Sequence, residues 1–467
     1  HYVAKSIVLV ILLAITLLPL CILSFYNHPC WDDYFDTDLV QQKGFLGAQS
    51  WWYFNWSGRY FASALLSVNP LVYGAGWGYK LNTIAFLLLL LISTYWLSGE
   101  LFQGFSRAYK IGISAVFIFT LIAIMPNIGF GLFWQCSIYT IFAPCILTLF
   151  LLGSIIGYYR SGGKKIFTVA SCLLSIAIVG SYEISMVFVD ALGLVFVLVA
   201  RQKKWSMRFP LLLFAICIVF SLIEIMAPGN AARGTMLFPN AHKLVFSITK
   251  SFKWGVYLLS RWLPFMAFVF LFLFDLFSEK KFDDKQTSSI LIVPPWLSLI
   301  ACMAIPVVNV FIYFWATGTP PSQWYINGVF FYFVLVIMYF FLSVIVYVKK
   351  RYPDFNIADY IKIPLYLIFL GLMVFHTNNI TTSYKDVISG NASAYNAERT
   401  ERDNYIRNNK NDSCMVDSIR NIPHSIFFSE IPQGTNNSNG LGICVQWMNN
   451  SYYGYYHKKY IGVKKNK

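Results

Sequence analysis

Charge is scarce in this chain. Only 12% of its 467 residues are Asp, Glu, Lys or Arg. That is about half the share of an ordinary soluble domain, which excludes a cytosolic globular enzyme. Disorder and a coiled coil go with it, since both need far more polar sequence. The nine Cys are scattered without a C-x-x-C or Cys/His spacing, so no zinc site, redox pair or disulfide-stapled scaffold is readable. The six His form no H-x-x-x-H pair, and no Ser/His/Asp arrangement can be argued. Walker-type and dinucleotide-binding Gly motifs are also missing, and with them the architecture that ATP or a nucleotide sugar requires.

What fills the chain is apolar: 57% of residues by the AVILMFWYC count, with 18% aromatic. The formal charge of +15 points at first sight to nucleic acid. The Lys and Arg, however, sit in short clusters between long apolar runs. That is the pattern of a polytopic membrane protein, whose partner is the lipid bilayer and not nucleic acid. Eleven stretches approach the length needed to cross a core of roughly 30 Å. They are roughly 4–25, 79–98, 110–126, 139–159, 166–182, 184–200, 209–227, 255–277, 289–312, 326–348 and 361–377. The first is too long in its apolar part for a cleavable signal. The fifth and sixth are separated only by Ser181-Tyr182-Glu183, which predicts a tight helical hairpin or a re-entrant pair.

Orientation follows from the cations. One set of loops holds Lys5, Arg107/Lys110, Arg160/Lys164/Lys165, Arg201/Lys203/Lys204/Arg208, Lys280/Lys281/Lys285 and Lys349/Lys350/Arg351, and the opposite set is poor in them. The positive-inside rule then places the N-terminus in the cytosol and the tail outside. The expected architecture is a transmembrane α-helical domain over 1–377, with a large first outer loop at 26–78. A small mixed α/β outer domain follows over 378–467. In an oxidising compartment Cys414 and Cys444 could pair, or stay as two thiols.

The first outer loop carries four carboxylates: Asp32, Asp33, Asp36 and Asp38. Two adjacent carboxylates raise one another's proton affinity, which tunes a general base toward neutral pH. Trp31 and Tyr34 flank Asp32-Asp33 and lower the local dielectric, so this pair reads as catalytic. Asp36 and Asp38 read as caps of the next helix. Further on, Arg59 is embedded in the run Trp51 to Phe61. Its planar fork suits phosphate or carboxylate, so it is either an ion-pair partner of the aspartates or a clamp for an anionic ligand.

The segments W-D-D-Y-F (31–35) and W-S-G-R-Y (56–60), in an amphipathic outer loop after the first span, resemble the GT-C superfamily. These are membrane glycosyltransferases that take sugars from polyprenyl-phosphate donors. The likeness is greatest to the bacterial GtrII-like serotype-converting glucosyltransferases. Ala227-Pro228-Gly229-Asn230-Ala231-Ala232-Arg233 looks like that family's A-P-G-N-x-x-R stretch. Trp447 to Tyr456 is similar to its aromatic ending. One departure is Pro320-Pro321-Ser322-Gln323, where the family often has Pro-x-Arg; Gln323 supplies no charge, so no phosphate role is carried over to it.

The resemblance implies an inverting hexosyltransferase of GT-C architecture in the bacterial inner membrane. It would move a sugar, glucose by the likeness, from a polyprenyl-phosphate donor to an outer-face glycan or lipid-linked O-antigen on lipopolysaccharide. Asp33, or Asp32 in its place, would be the base. Arg59, Arg233, Arg261 and Asn230 would meet the donor phosphate. Glu183, Trp56, Tyr34 and Tyr453 would line the acceptor site or cavity. Glu224 lies at an outer helix end, while Asp190 and Asp275 read as structural. Nothing demands a cofactor, though paired aspartates can hold Mg²⁺ or Mn²⁺. A flippase or transporter of lipid-linked saccharides predicts broken midplane helices and inverted repeats, and no repeat is visible. An O-antigen polymerase or ligase would normally carry its large loop late in the chain.

Overall fold

A computed structural model describes residues 2–238, 241–278, 282, 293–431 and 449–464. Lys280, Lys281, Lys285, Cys444 and Trp447 lie outside the described residues. The helices in order are α1 (Tyr2–Ser24), α2 (Asp32–Asn55), α3 (Tyr60–Ser67), α4 (Gly76–Leu101) and α5 (Arg107–Ile124). The next are α6 (Gln135–Arg160), α7 (Lys165–Val179), α8 (Glu183–Gln202), α9 (Arg208–Ile225) and α10 (Pro228–Leu237). Then come α11 (Leu244–Leu276), α12 (Pro295–Thr317), α13 (Gln323–Arg351), α14 (Asp359–Phe375), α15 (Asn379–Ile388) and α16 (Asn391–Asn408). Two short strands, β1 (Ser413–Val416) and β2 (Tyr460–Val463), pair in parallel.

Long apolar runs form helices because lipid offers no partner for a free backbone N–H or C=O. Among the described residues eight helices are long and apolar enough to cross a membrane: α4, α5, α6, α8, α9, α11, α12 and α13. The chain is therefore a multi-pass helical membrane protein. All eleven expected stretches are helical where described, but two fall short in length. These are α7 with 15 residues and α14 with 17. Bent by 43° onto α15, α14 makes at most a ninth, broken span.

The most buried helices are α5, α6 and α13. In α13 nearly every residue from Tyr325 to Met338 is buried, so this helix is the axis of the bundle. By contrast α14 buries no residue at all and rests on α11 through Phe369 and Tyr366. Two acids inside the bundle have partners: Asp190 takes the Ser221 hydroxyl at 2.8 Å, and Asp275 pairs with Lys362 at 3.0 Å. Both act as struts between helices, since an unpartnered charge in lipid is costly.

The two ends of the bundle differ. At one end Arg160 pairs with Glu100 at 2.9 Å, and the buried Lys349 ammonium reaches the Ser278 carbonyl and Asn356. The other end gathers the first loop, the 125–138 segment, the 180–183 turn, α10, the start of α13 and the tail. Asn127 donates to Gln323 at 2.6 Å, Trp134 packs on Trp324, and Asn379 reaches the Met125 carbonyl. The tail is strapped to this end: Arg399 donates to the Tyr34 hydroxyl and the Pro29 carbonyl, and His28 lies 3.7 Å from Asp403.

Candidate active site

The acidic motif opens α2. Trp31, just before it, has φ of 44°, a left-handed conformation that strains a non-glycine residue. Its indole holds that geometry by donating to Ser429 Oγ and packing against Phe130, Trp134 and Phe428. The turn brings Asp32 and Asp33 into the first turn of the helix. Gly44, with φ of 68°, then breaks α2 so that its second half can run along the bundle.

The two aspartates have different surroundings. Asp33 is 2% exposed, and three donors fill its carboxylate: the Cys30 N–H at 3.0 Å, the Tyr79 hydroxyl at 2.8 Å and the Cys136 N–H at 3.1 Å. Asp32 is half-buried and accepts no hydrogen bond from another described residue. Burial, followed by the charge of Asp33, pushes the Asp32 carboxyl up to about 7. Burial also lifts Asp33 to about 7, against the pull of its three donors.

Asp36, one turn beyond Asp32, is buried, and its Oδ2 has no partner among the described residues. Burial and the neighbouring aspartates hold it well above the usual carboxylate range. The expectation that Asp36 and Asp38 cap a helix is corrected here, because α2 begins at Asp32 and both lie inside it. Asp38 instead accepts from Gln42 at 2.7 Å. No group of three or more His, Cys, Asp or Glu among the described residues is arranged to hold a metal. A Mg²⁺ or Mn²⁺ ion would have only the carboxylates of this turn.

A second cluster lies at the same end of the bundle. Arg59 grips Glu183 with Nη2 at 2.7 and 2.8 Å from the two carboxylate oxygens, and stacks 3.9 Å over the Tyr182 ring. Burial opposes the guanidinium charge, but Glu183 outweighs it and raises the Arg59 pKa. Arg233 stands 4.0 Å from the same Glu183 oxygen and 5.7 Å over the Trp56 ring. Its guanidinium makes no hydrogen bond to another described residue. Burial and the neighbouring charge of Arg59 lower its pKa, so the second cation lacks a full counter-charge. Glu224 is 1% exposed behind them. Cys136 is within electrostatic reach of Asp32, Asp36, Asp33 and Arg59.

Two glycines hold these motifs together. A Cβ on Gly58 would stand 2.1 Å from the Glu224 carbonyl, and one on Gly229 would stand 2.5 Å from the Trp56 N–H nitrogen. The W-S-G-R and A-P-G-N-A-A-R segments therefore pack backbone on backbone, and that contact brings Arg59 and Arg233 to one carboxylate.

The other expected site residues go elsewhere. Asn230 spends its amide on the Glu224 and Ile225 carbonyls, at 2.8 and 3.2 Å, closing the end of α9. Arg261 lies exposed on α11 over the Tyr257 ring and touches neither cluster. Tyr34 points into the tail, its ring 4.9 Å from Tyr452 and its hydroxyl on Arg399. Tyr453 packs on Tyr460 beside β2. Tyr79, Tyr182 and Cys136 were not legible as site residues, because nothing marks them in sequence apart from a helix end. No protein-family model matches this chain, and no curated protein matches it either.

Proposed function

We propose that the chain is an inverting glycosyltransferase of GT-C type, moving a hexose from a polyprenyl-phosphate donor to a glycan hydroxyl on the outer face. The observation that carries this reading is that Asp32 and the Arg59–Arg233 cluster stand at the same end of the bundle. Burial and Asp33 raise the Asp32 carboxyl to about 7, and Arg233, at the same end of the bundle, lacks a full counter-charge. A proton acceptor and an anion clamp at one end of a membrane bundle suit transfer from a lipid phosphate.

In this reading Asp32 is the base and Asp33 holds it in place. Asp32 takes the proton of the acceptor hydroxyl as its oxygen attacks the sugar C1. The C1–O bond to the lipid phosphate breaks on the opposite face, and the departing phosphate keeps the electron pair. Arg233, with Arg59 behind it, stabilises that developing charge. Trp56 and Tyr182 provide aromatic walls. No step here is routed through a metal.

The cation asymmetry supports an orientation with the site end facing the periplasm of a bacterial inner membrane and the N-terminus cytoplasmic. Glucose and an O-antigen acceptor remain the choice the sequence likeness favours. A transporter would need its polar groups at the midplane, whereas the two clusters lie at one end. Mass spectrometry of surface glycan from cells with and without the gene tests the proposal: a hexose increment that depends on the gene supports it, and identical glycans contradict it.

A further inference from the structure

At the end of the bundle remote from the two clusters, two tight turns face each other. α8 opens at Glu183 and runs for 20 residues, about 30 Å in all. That matches a hydrocarbon core, so the turn after it stands at the opposite membrane boundary. This turn closes with the Trp205 N–H on the Ala200 carbonyl at 2.9 Å and the Lys204 N–H on the Arg201 carbonyl at 3.2 Å. Such a closure needs a left-handed residue just past the helix end, and glycine is usual there. The turn between α6 and α7 obeys that rule: Gly162 has φ of 70°, and the Gly163 N–H meets the Tyr158 carbonyl at 2.9 Å. After α8 the same place is held by Lys204, with φ of 54°.

A side chain is strained in that conformation and glycine is not, so this charge is kept at the expense of the turn. The two turns pack through their rings, Tyr159 on Trp205 at 4.5 Å and Tyr158 on Phe209 at 4.0 Å. Around these rings Lys164, Lys165, Arg201, Lys203, Lys204 and Arg208 are all exposed. Neither turn contains an acid, and Lys164, Lys165, Arg201, Lys204 and Arg208 form no ion pair with another described residue. Lys165 and Arg208 also open α7 and α9, where the helix dipole disfavours a cation. The Lys203 ammonium lies 5.3 Å over the Trp205 ring, and Ile166 and Val169 of α7 stand exposed beside the patch. Cations thus rim an indole where acyl chains give way to headgroups.

We propose that these two turns bind the headgroup phosphate of an anionic phospholipid in the leaflet opposite the site, with Lys204 as a principal contact. The inference stands apart from the glycosyltransferase reading, because the patch and the two clusters occupy opposite ends of the bundle. Charge selects the ligand. A zwitterionic headgroup brings its own cation to the patch, whereas an anionic one brings only the phosphate charge. The exposed Ile166 and Val169 meet the acyl portion, which a soluble phosphate lacks. Each cation at a membrane surface adds about fivefold in affinity for anionic lipid.

The test is native mass spectrometry of the full chain offered phosphatidylglycerol and phosphatidylcholine with matched acyl chains. The expected result is preferential retention of phosphatidylglycerol by the native chain, weakened about fivefold in Lys204→Gly. Thermal unfolding of the same variant separates a ligand contact from a structural one. Glycine takes the left-handed turn without strain, so Lys204→Gly should melt at or above the native temperature while it loses the lipid. Lys204→Asn, which also tolerates that conformation, replaces it if the glycine variant fails to fold. Equal retention of the two lipids by the native chain overturns the proposal, as does an unchanged preference in the folded variant. Displacement of phosphatidylglycerol by inorganic phosphate assigns the patch to a soluble anion and overturns it too. Lipid loss accompanied by earlier melting makes Lys204 structural and overturns its role as the contact.

Discussion

Tyr79 donates its hydroxyl to Asp33 Oδ2 across 2.8 Å and so ties the acidic turn to the end of α4. With the Cys30 and Cys136 N–H groups, it leaves Asp33 no oxygen to spare for substrate. A carboxylate in that state positions its neighbours. Asp32, one residue earlier, has the opposite endowment: it is half-buried and accepts no hydrogen bond from another described residue.

The two arginines around Glu183 should separate by function. Arg59→Ala removes a bidentate partner and strands a partly buried carboxylate, so a loss of about 3 kcal/mol in stability is expected. Arg233→Ala should leave the melting temperature near that of the native chain and raise the donor KM about tenfold or more. Thermal unfolding in detergent, set against donor titration, reads both effects. Equal KM effects with unchanged stability would make Arg59 a ligand contact as well.

Gly58→Ala and Gly229→Ala should each open the contact between the two motifs. The added methyl meets backbone atoms at 2.1 and 2.5 Å, and backbone cannot turn aside as a side chain can. Each variant should lose about 1–3 kcal/mol, the usual cost of overpacking, and lose transfer with it. Gly74→Ala and Gly76→Ala have open space around them, and Gly76, free of a positive φ, is the neutral control. Native-like stability in Gly58→Ala would show that the segments need not pack this closely.

The helices were legible because a membrane span is written in one dimension. Composition alone marks the eight spanning helices, and the hairpin at Ser181 to Glu183 needed only its short polar interruption. Span length was less legible: α7 and α14 read as crossings on apolar content but stop at 15 and 17 residues. Within the site, Asp32, Asp33, Arg59, Arg233 and Glu183 stood out as charges in outer loops. What sequence does not carry is the side on which a charge's partner waits. Tyr34 neighbours the acidic pair in sequence but leaves it for the tail, and Arg261 shares a helix with other cations but faces away. Tyr79 is one of 30 tyrosines, and only the fold brings it to Asp33.

The acidic turn should give transfer a pH dependence of known sign. Burial and Asp33 raise Asp32 to about 7, and a base works only when ionised. The rate should fall about tenfold per pH unit below 7 and level off above it. Stability should run the other way. A raised carboxyl binds its proton more tightly folded than unfolded, so its stabilisation is full below the ordinary Asp value and is lost as pH rises through about 7. A pH–rate profile beside melting temperatures at each pH checks both slopes, and parallel slopes would contradict the assignment.

The most direct test is transfer by Asp32→Asn compared with Asp33→Asn. Asn preserves size and most hydrogen bonding but cannot accept the proton. Removing a general base costs about 10² to 10⁴ in rate, while disturbing a buried, saturated carboxylate costs about 1–3 kcal/mol of stability. The account predicts that Asp32→Asn loses transfer by that factor with donor binding and melting temperature intact. It predicts that Asp33→Asn melts earlier and loses activity along with its fold. Asp32→Asn protein that transfers sugar at the native rate would contradict the account.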